Sequence, residues 1–549
     1  MRHPSLGILI SLPFLFALHS LGQQTSPPST TQKASSQTQA SFATEPYVVN
    51  IIQTRIHFDP DGKGVRETTI EIRIQSESAV RNFGLLVYPY MASFENLDVV
   101  YARVRKPDGT VINTPAGDIQ DLDSAVSREA PMYTDQREKH IAVRALAVGD
   151  ILEVSLRWII HNPVAPGHFW YDANFFKAGI CLKEVLQIEV PGGIPIRIVG
   201  SNLTPSIRKE NGFRIYNYQT SHLKKETDDT PAWEKDFHGA APPNIQISSF
   251  SSWPDVGAWY SALQQPALGL TPEIRAKAAE LTAGKLSDDE KIRSIYNFVS
   301  LRFRYIGIDL GLGRYAPHSA QDVLANRYGD CKDKHTLFSA LLAAAGIKSF
   351  PALVSTTYKI NPQMPSPSLF DHVITAIPRG DTYLFLDTTP EVAPFGLLLR
   401  TIRDHQALVI PPDLPARLVQ LPADPPFLNS EKYQMDSTID ANGVLDGKAR
   451  FEDRGDSELL FRLAYRNTAQ NQWNDLVQRL VANLGFGGTV SDVLAAQPED
   501  TSDPFWFTYT YHRSGYSDWK DHRISLPFPP FILPELSEKE KSSKDPLPL

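Results

Sequence analysis

Two cysteines in 549 residues, Cys181 and Cys331, leave this chain without a disulfide framework to carry its folding. Basic residues are also short: 54 Lys and Arg stand against 62 Asp and Glu, a formal charge of −8 that offers no basic footprint for nucleic acid or an anionic membrane. Beyond the first residues no run reaches the ~20 apolar positions that a bilayer-crossing helix needs. No His, Cys or acidic cluster has metal-ligand spacing, and no metal is expected. Nor is a cofactor: the one glycine-rich stretch, Gly311-Leu312-Gly313, lacks the lysine and the strand–loop–helix order of a phosphate-binding loop and reads as a cleft wall.

What is present is enough for several real cores. Hydrophobic residues make up 42% of the chain and aromatics 10%, and the length predicts about three domains. Arg2 and His3, an apolar run from Leu6 to Leu18 and Ser20-Leu21-Gly22 form a secretory leader over residues 1–22, too short to span. The absence of a cysteine at its end argues against a lipid anchor. A periplasmic or secreted location follows, with no membrane span once the leader is removed. Residues 23–44, rich in Ser, Thr, Gln and Pro, read as a disordered tether.

Period-two alternation then dominates. Ile70, Ile72 and Ile74 alternate with Glu71 and Arg73, and Leu152, Val154, Leu156 and Trp158 with Glu153, Ser155 and Arg157. With turns at Asp61-Gly62 and Pro107-Asp108-Gly109, this pattern predicts an antiparallel β-sandwich over residues 45–225. A polar stretch from Glu226 to Pro243 separates it from a central α+β domain at 255–400. There Ser287-Asp288-Asp289-Glu290 is a capping box opening a helix with Ile292, Ile295, Tyr296 and Val299 on one face. Residues 401–549 read as an α+β or β accessory region, with a turn at Ala441-Asn442-Gly443 and an amphipathic helix marked by Trp473, Leu476, Val477, Leu480, Val481 and Leu484 and ended by Gly485.

The chemistry concentrates at Arg327-Tyr328-Gly329-Asp330-Cys331. Leu337, Phe338, Leu341, Leu342 and Ala345 recur at helical spacing up to Gly346, so Cys331 falls in a first helical turn. Unfilled backbone N–H groups and the dipole there favour the thiolate, which is the nucleophilic form. Gly329 suits a sharp turn open to a substrate backbone. The charged residues Asp330, Lys332, Asp333 and Lys334 read as a solvated or ion-paired helix start. Downstream, His372 to Ile377 and Thr382 to Asp387 are strand-like runs joined by Pro378-Arg379-Gly380-Asp381. A turn centred on Arg379-Gly380 puts His372 directly opposite Asp387, as a base and its orienting carboxylate. His335 and His318 are the poorer histidine alternatives. Cys181, in the apolar run Ile180-Cys181-Leu182, reads as a buried small side chain rather than a disulfide partner of Cys331.

These residues carry a resemblance. Tyr305 to Ile308, Gly313 to His318, Val323 to Lys334 and Leu341 to Ile347 resemble the core of bacterial transglutaminase-like proteins, of the papain-like thiol superfamily. The subgroup it is similar to has an N-terminal β domain of unknown function, and the likeness runs from about Tyr47 onward. The resemblance implies a Cys, His, Asp triad at Cys331, His372 and Asp387. It also implies a protein or peptide substrate, cleaved or transferred through a thioester at an amide bond. The Cys331 backbone N–H is the first expected oxyanion donor, with Tyr328 or Gln321 as the second. A non-catalytic peptide- or wall-binding protein and a maturation protease for exported partners are the alternative readings. Oligomeric state is not legible.

Overall fold

The computed structural model describes residues 42–129, 135–200, 203–224, 242–307, 315–483, 485 and 487–524. The leader, most of the tether, the greater part of the Glu226–Pro243 segment, Gly311-Leu312-Gly313, Leu484 and the tail from residue 525 lie outside them. Two compact units divide the chain: Met1–Tyr260 with Ile308–Ala316 and Thr357–Asp371, and Ser261–Gly307 with Pro317–Thr356 and His372–Leu549. Among the described residues no helix is long and apolar enough to cross a membrane.

The first unit is strongly β-rich. Eight strands form one sheet in the order Ser206–Glu210, Phe213–His222, Cys181–Pro191, Tyr47–Phe58, Gly64–Ile74, Ile151–Ile160, Glu95–Arg105, Val111–Asn113. Ile72, Ile74, Leu152, Val154 and Leu156 are buried, as their alternation predicts. The intervening positions carry Arg–Glu pairs such as Arg157–Glu67 and Arg105–Glu153. Two expectations need correction. Tyr47–Phe58 runs parallel to Cys181–Pro191, so the sheet is not purely antiparallel. Alternation has the same period in both arrangements, and only a short connection would have forced the antiparallel one. The unit also continues past residue 225: Ile245–Ser248 pairs with both Trp170–Ala173 and Arg197–Gly200. That four-residue strand is buried throughout, so it shows no alternation to read.

The second unit combines helices and strands. Ser287 caps α1 (Asp288–Arg302) with the reciprocal Glu290 contact, and Ile292, Ile295, Tyr296 and Val299 are buried. They meet Leu337, Phe338, Leu341 and Leu342 of α2 (Cys331–Ala344) in one core. Five antiparallel strands pack beside them: β1 (His372–Arg379) lies between β2 (Thr382–Leu386) and Phe350–Val354, followed by Gln406–Val409 and Arg417–Gln420. The last two lie beyond residue 400, so the expected boundary there falls inside this sheet. The Pro-rich links around them had masked two four-residue strands.

The unit also holds a four-stranded sheet, Ser430–Ile439, Leu445–Arg454, Phe505–Arg513, Thr489–Ala495, with helices α3 (Asp456–Arg466) and α4 (Trp473–Asn483). Phe451, Phe505, Phe507, Tyr509, Tyr465, Trp473, Val477 and Val481 form its core. The expected turn and the α4 face are both present. Helix α3 is an addition to the reading, because its buried side includes Glu458 and Arg462. Arg462 is buried against Glu458 at 2.7 Å and donates to the Gln497, Pro498 and Asp503 carbonyls. An apolar-period search passes over such a face.

Candidate functional site

Cys331 is the first residue of α2. Asp330 caps the helix in extended backbone, its Oδ1 accepting from the Asp333 N–H at 3.1 Å, while Asp333 Oδ2 accepts from the Asp330 N–H at 3.4 Å. This reciprocal box sets where the helix begins and so places the thiol at its mouth. Gly329 has a different reason from the one expected: a Cβ there would stand 2.7 Å from the Cβ of Asp333. The glycine makes room for the cap.

The charged helix start is buried, not solvated. Lys332 pairs with Asp330, and both are almost wholly buried. Burial raises the Asp330 carboxyl despite the opposing pull of Lys332. Asp333 is held by the His318 backbone N–H at 2.8 Å and faces its ring at 3.1 Å, an interaction that raises the His318 pKa. Lys334 donates to the carbonyls of Phe303 (2.8 Å) and Ser300 (3.2 Å), the C-terminal end of α1. Burial lowers its pKa to about 7 against the attraction of Glu391 and Asp387. His335 is a satisfied core histidine: it bonds Thr375 Oγ1 at 2.7 Å and Ser339 Oγ at 3.3 Å, and burial pushes its pKa down to about 3.

The hairpin joins the other two residues by a corrected register. The ladder pairs Thr375 with Leu386 and Arg379 with Thr382, enclosing Gly380 and Asp381, with Gly380 at φ +59°. The turn thus lies one residue later than expected, and Asp387 is not directly opposite His372. His372 Nε2 nevertheless lies 2.9 Å from Asp387 Oδ2. Moving a turn centre by one residue changes the pairing by two, and with a side-chain period of two both residues stay on one face and meet diagonally.

The Cys331 thiol is the other group that acts on the His372 ring, and it favours the protonated imidazole. Burial works against the charged imidazole. The Asp387 carboxylate and Cys331 outweigh it and hold the His372 pKa well above the ordinary histidine range. Asp387 is buried too, yet His372 and Thr389 keep its pKa lowered. Its Oδ1 accepts from the Thr389 N–H at 2.9 Å and from Thr389 Oγ1 at 2.7 Å. Tyr296 of α1 donates to its carbonyl at 3.0 Å. Tyr296 and Thr389 are additions: Tyr296 read as core alone, and Thr389 had no expected role, although Asp two residues before Thr is a spacing that side-chain turns use.

A thiol, an imidazole and a carboxylate thus stand in one chain of interacting groups, and neither cysteine is in a disulfide. Such a chain can form a thiolate–imidazolium pair and attack an electrophilic carbonyl. Of the two expected second oxyanion donors, Gln321 uses its Oε1 to accept from Thr271 Oγ1 at 2.6 Å, and Tyr328 lies in a short strand parallel to Arg304–Tyr305. Among the described residues no group of three or more His, Cys, Asp or Glu is placed to hold a metal ion.

Residues 60–227 match the family model of a domain of unknown function, DUF3857, and residues 275–372 match that of the transglutaminase-like superfamily. The central region is a transglutaminase-like superfamily domain. The match to this domain takes in Cys331 and ends at His372. None of the curated proteins matches the chain. Among solved structures, a candidate protease from Parabacteroides distasonis is 12% identical with a TM-score of 0.58, over 85% of this chain and 93% of its own. At that identity the likeness is one of fold, and it extends over most of both chains. A candidate cysteine protease from Cytophaga hutchinsonii is 15% identical over 40% of this chain and 71% of its own, with a TM-score of 0.19. A zinc metallopeptidase from Deinococcus radiodurans is 9% identical over 37% of this chain and 42% of its own, with a TM-score of 0.20.

Proposed function

We propose that this chain is an exported transglutaminase-like thiol enzyme acting on amide bonds of proteins or peptides, with a papain-like triad of Cys331, His372 and Asp387. The observation that carries the reading is the buried His372–Asp387 pair at 2.9 Å, with the Cys331 thiol at the start of α2 acting on the same ring. The superfamily match of the central domain supports the same class. The Cys331 thiolate attacks the carbonyl carbon and forms a C–S bond. His372 gives its proton to the departing nitrogen as the C–N bond breaks. Water or an amine then attacks the thioester, His372 takes the proton of that nucleophile, and the C–S bond opens to restore the thiolate. Hydrolysis and amine transfer differ only in the acceptor of the second step. Export rests on the leader at residues 1–22.

The test is Cys331→Ala, assayed on casein for released peptide and for incorporation of a fluorescent alkylamine. Both activities should vanish, while stability changes by no more than about 1–2 kcal/mol, the usual range for one substitution. Because neither cysteine is in a disulfide, dithiothreitol should leave the wild-type melting temperature unchanged. Amide chemistry retained by the alanine variant would overturn the assignment.

A further inference from the structure

The loop that follows Asp387 is held from the C-terminal region of the same unit. Glu391, four residues on, adopts φ 57°, a left-handed conformation that a non-glycine residue keeps only when its surroundings enforce it. Those surroundings are specific. The Glu391 carbonyl accepts from Ser300 Oγ at 2.7 Å, and its Oε1 accepts from the Tyr305 N–H at 2.6 Å. Its Oε2 lies 3.0 Å from Arg466 Nη1 at the end of α3, an ion contact whose angle makes no hydrogen bond. Arg466 Nη2 donates to the Leu301 carbonyl at 3.3 Å, and its Nε faces Glu499 at 3.8 Å. Leu459 of α3 packs with Val392, Ala393 and Leu397 directly after Glu391.

We infer that Arg466, acting through Glu391, is a positioning residue for the Asp387 loop, so that the C-terminal region forms part of the catalytic apparatus. The inference rests on the triad proposed above. Asp387 is buried and has one productive orientation, with Oδ1 on Thr389 and Oδ2 on His372. The chain from Asp387 to Glu391 is only a few residues, so a change in backbone conformation at Glu391 is transmitted to that carboxylate. Buried Lys334, one turn after Cys331, is attracted by Glu391 and Asp387 and repelled by Arg466. The nucleophile helix, the Asp387 loop and α3 therefore share one charge arrangement.

The experiment is the pH dependence of iodoacetamide alkylation at Cys331, read by mass spectrometry on the full chain. Wild type is compared with Arg466→Met, Arg466→Lys, Glu391→Gln and Val481→Ala, the last a cavity in the same C-terminal core away from the loop. The expected result for Arg466→Met is a roughly 10- to 100-fold slower reaction at pH 6, the scale of a slightly misplaced catalytic group. Glu391→Gln should act alike, and the Arg466→Met/Glu391→Gln pair should be no worse than either alone. Arg466→Lys should recover most of the rate, and Val481→Ala should keep the wild-type profile. Wild-type reactivity in Arg466→Met, or an equal loss in Val481→Ala, overturns the positioning role and leaves the triad standing. A wild-type Cys331 that reacts only as an ordinary thiol removes the triad, and this inference with it.

Discussion

Asp387→Asn is the sharpest perturbation of the site, because the two oxygens of this carboxylate have different neighbours. Oδ1 accepts from the Thr389 N–H, a group that can only donate, at 2.9 Å. The asparagine carbonyl must therefore take that place, which turns its NH2 toward His372 Nε2. A ring nitrogen facing an NH2 has to accept, so the ring proton moves to Nδ1, the only nitrogen left for the thiol. The imidazole then cannot take the proton of Cys331. In addition, the main attraction raising the His372 pKa disappears. Wrong-tautomer substitutions of this kind in triads lower kcat by about 10⁴. KM should change far less, since the carboxylate is buried behind the histidine. Substitution of this buried, hydrogen-bonded group should cost about 1–3 kcal/mol of stability. The assay is kcat and KM on the peptide-release reaction, with iodoacetamide reactivity of Cys331 in parallel. Activity within about twofold of wild type, against the predicted loss, would refute the tautomer argument and the orienting role of Asp387.

Gly329→Ala places a Cβ 2.7 Å from that of Asp333, so the helix cap must move. A loss of about 1–3 kcal/mol in denaturant unfolding, the range for overpacking, is expected together with a slower thiol; unchanged stability would show that the cap is not tight. Lys334→Met tests the buried amine. Its folded pKa of about 7 lies below the unfolded value, so between those two values the unfolded chain binds more protons and stability rises with pH. Wild type minus variant should show that rise from neutral to alkaline pH, and a flat difference would argue against a depressed Lys334.

Local signals were the legible ones. Ser287 and Glu290 announced α1, and the apolar period from Leu337 up to Gly346 announced α2 and with it the location of Cys331. The hairpin was visible in Pro378-Arg379-Gly380-Asp381, but its register was not. Arg379-Gly380 and Gly380-Asp381 both make acceptable turns, and only the tertiary ladder chooses between them. That His372 still meets Asp387 reflects the two-residue periodicity of strands rather than the accuracy of the expected pairing. Long-range features were invisible for related reasons. The parallel pairing of Tyr47–Phe58 with Cys181–Pro191 leaves no mark in alternation, and Gln406–Val409 and Arg417–Gln420 are too short to stand out from Pro-rich surroundings. Lys332, Lys334 and Arg462 look like surface residues by type, and it is their partners that allow them to be buried: Asp330 two residues before Lys332, and groups one turn away or distant in sequence for the other two.

The central claim is that Cys331 is an activated thiol, and the most direct measurement is its alkylation rate against pH in the native wild-type chain. Cys181 serves as an internal reference, since burial pushes its pKa up to about 12, with Glu184 adding to the effect. The account predicts that Cys331 reacts with iodoacetamide well below pH ~8.5, the ordinary thiol value, while Cys181 stays unmodified until the chain unfolds. Equal behaviour of the two thiols, or a Cys331 profile that follows an ordinary thiol, would contradict it.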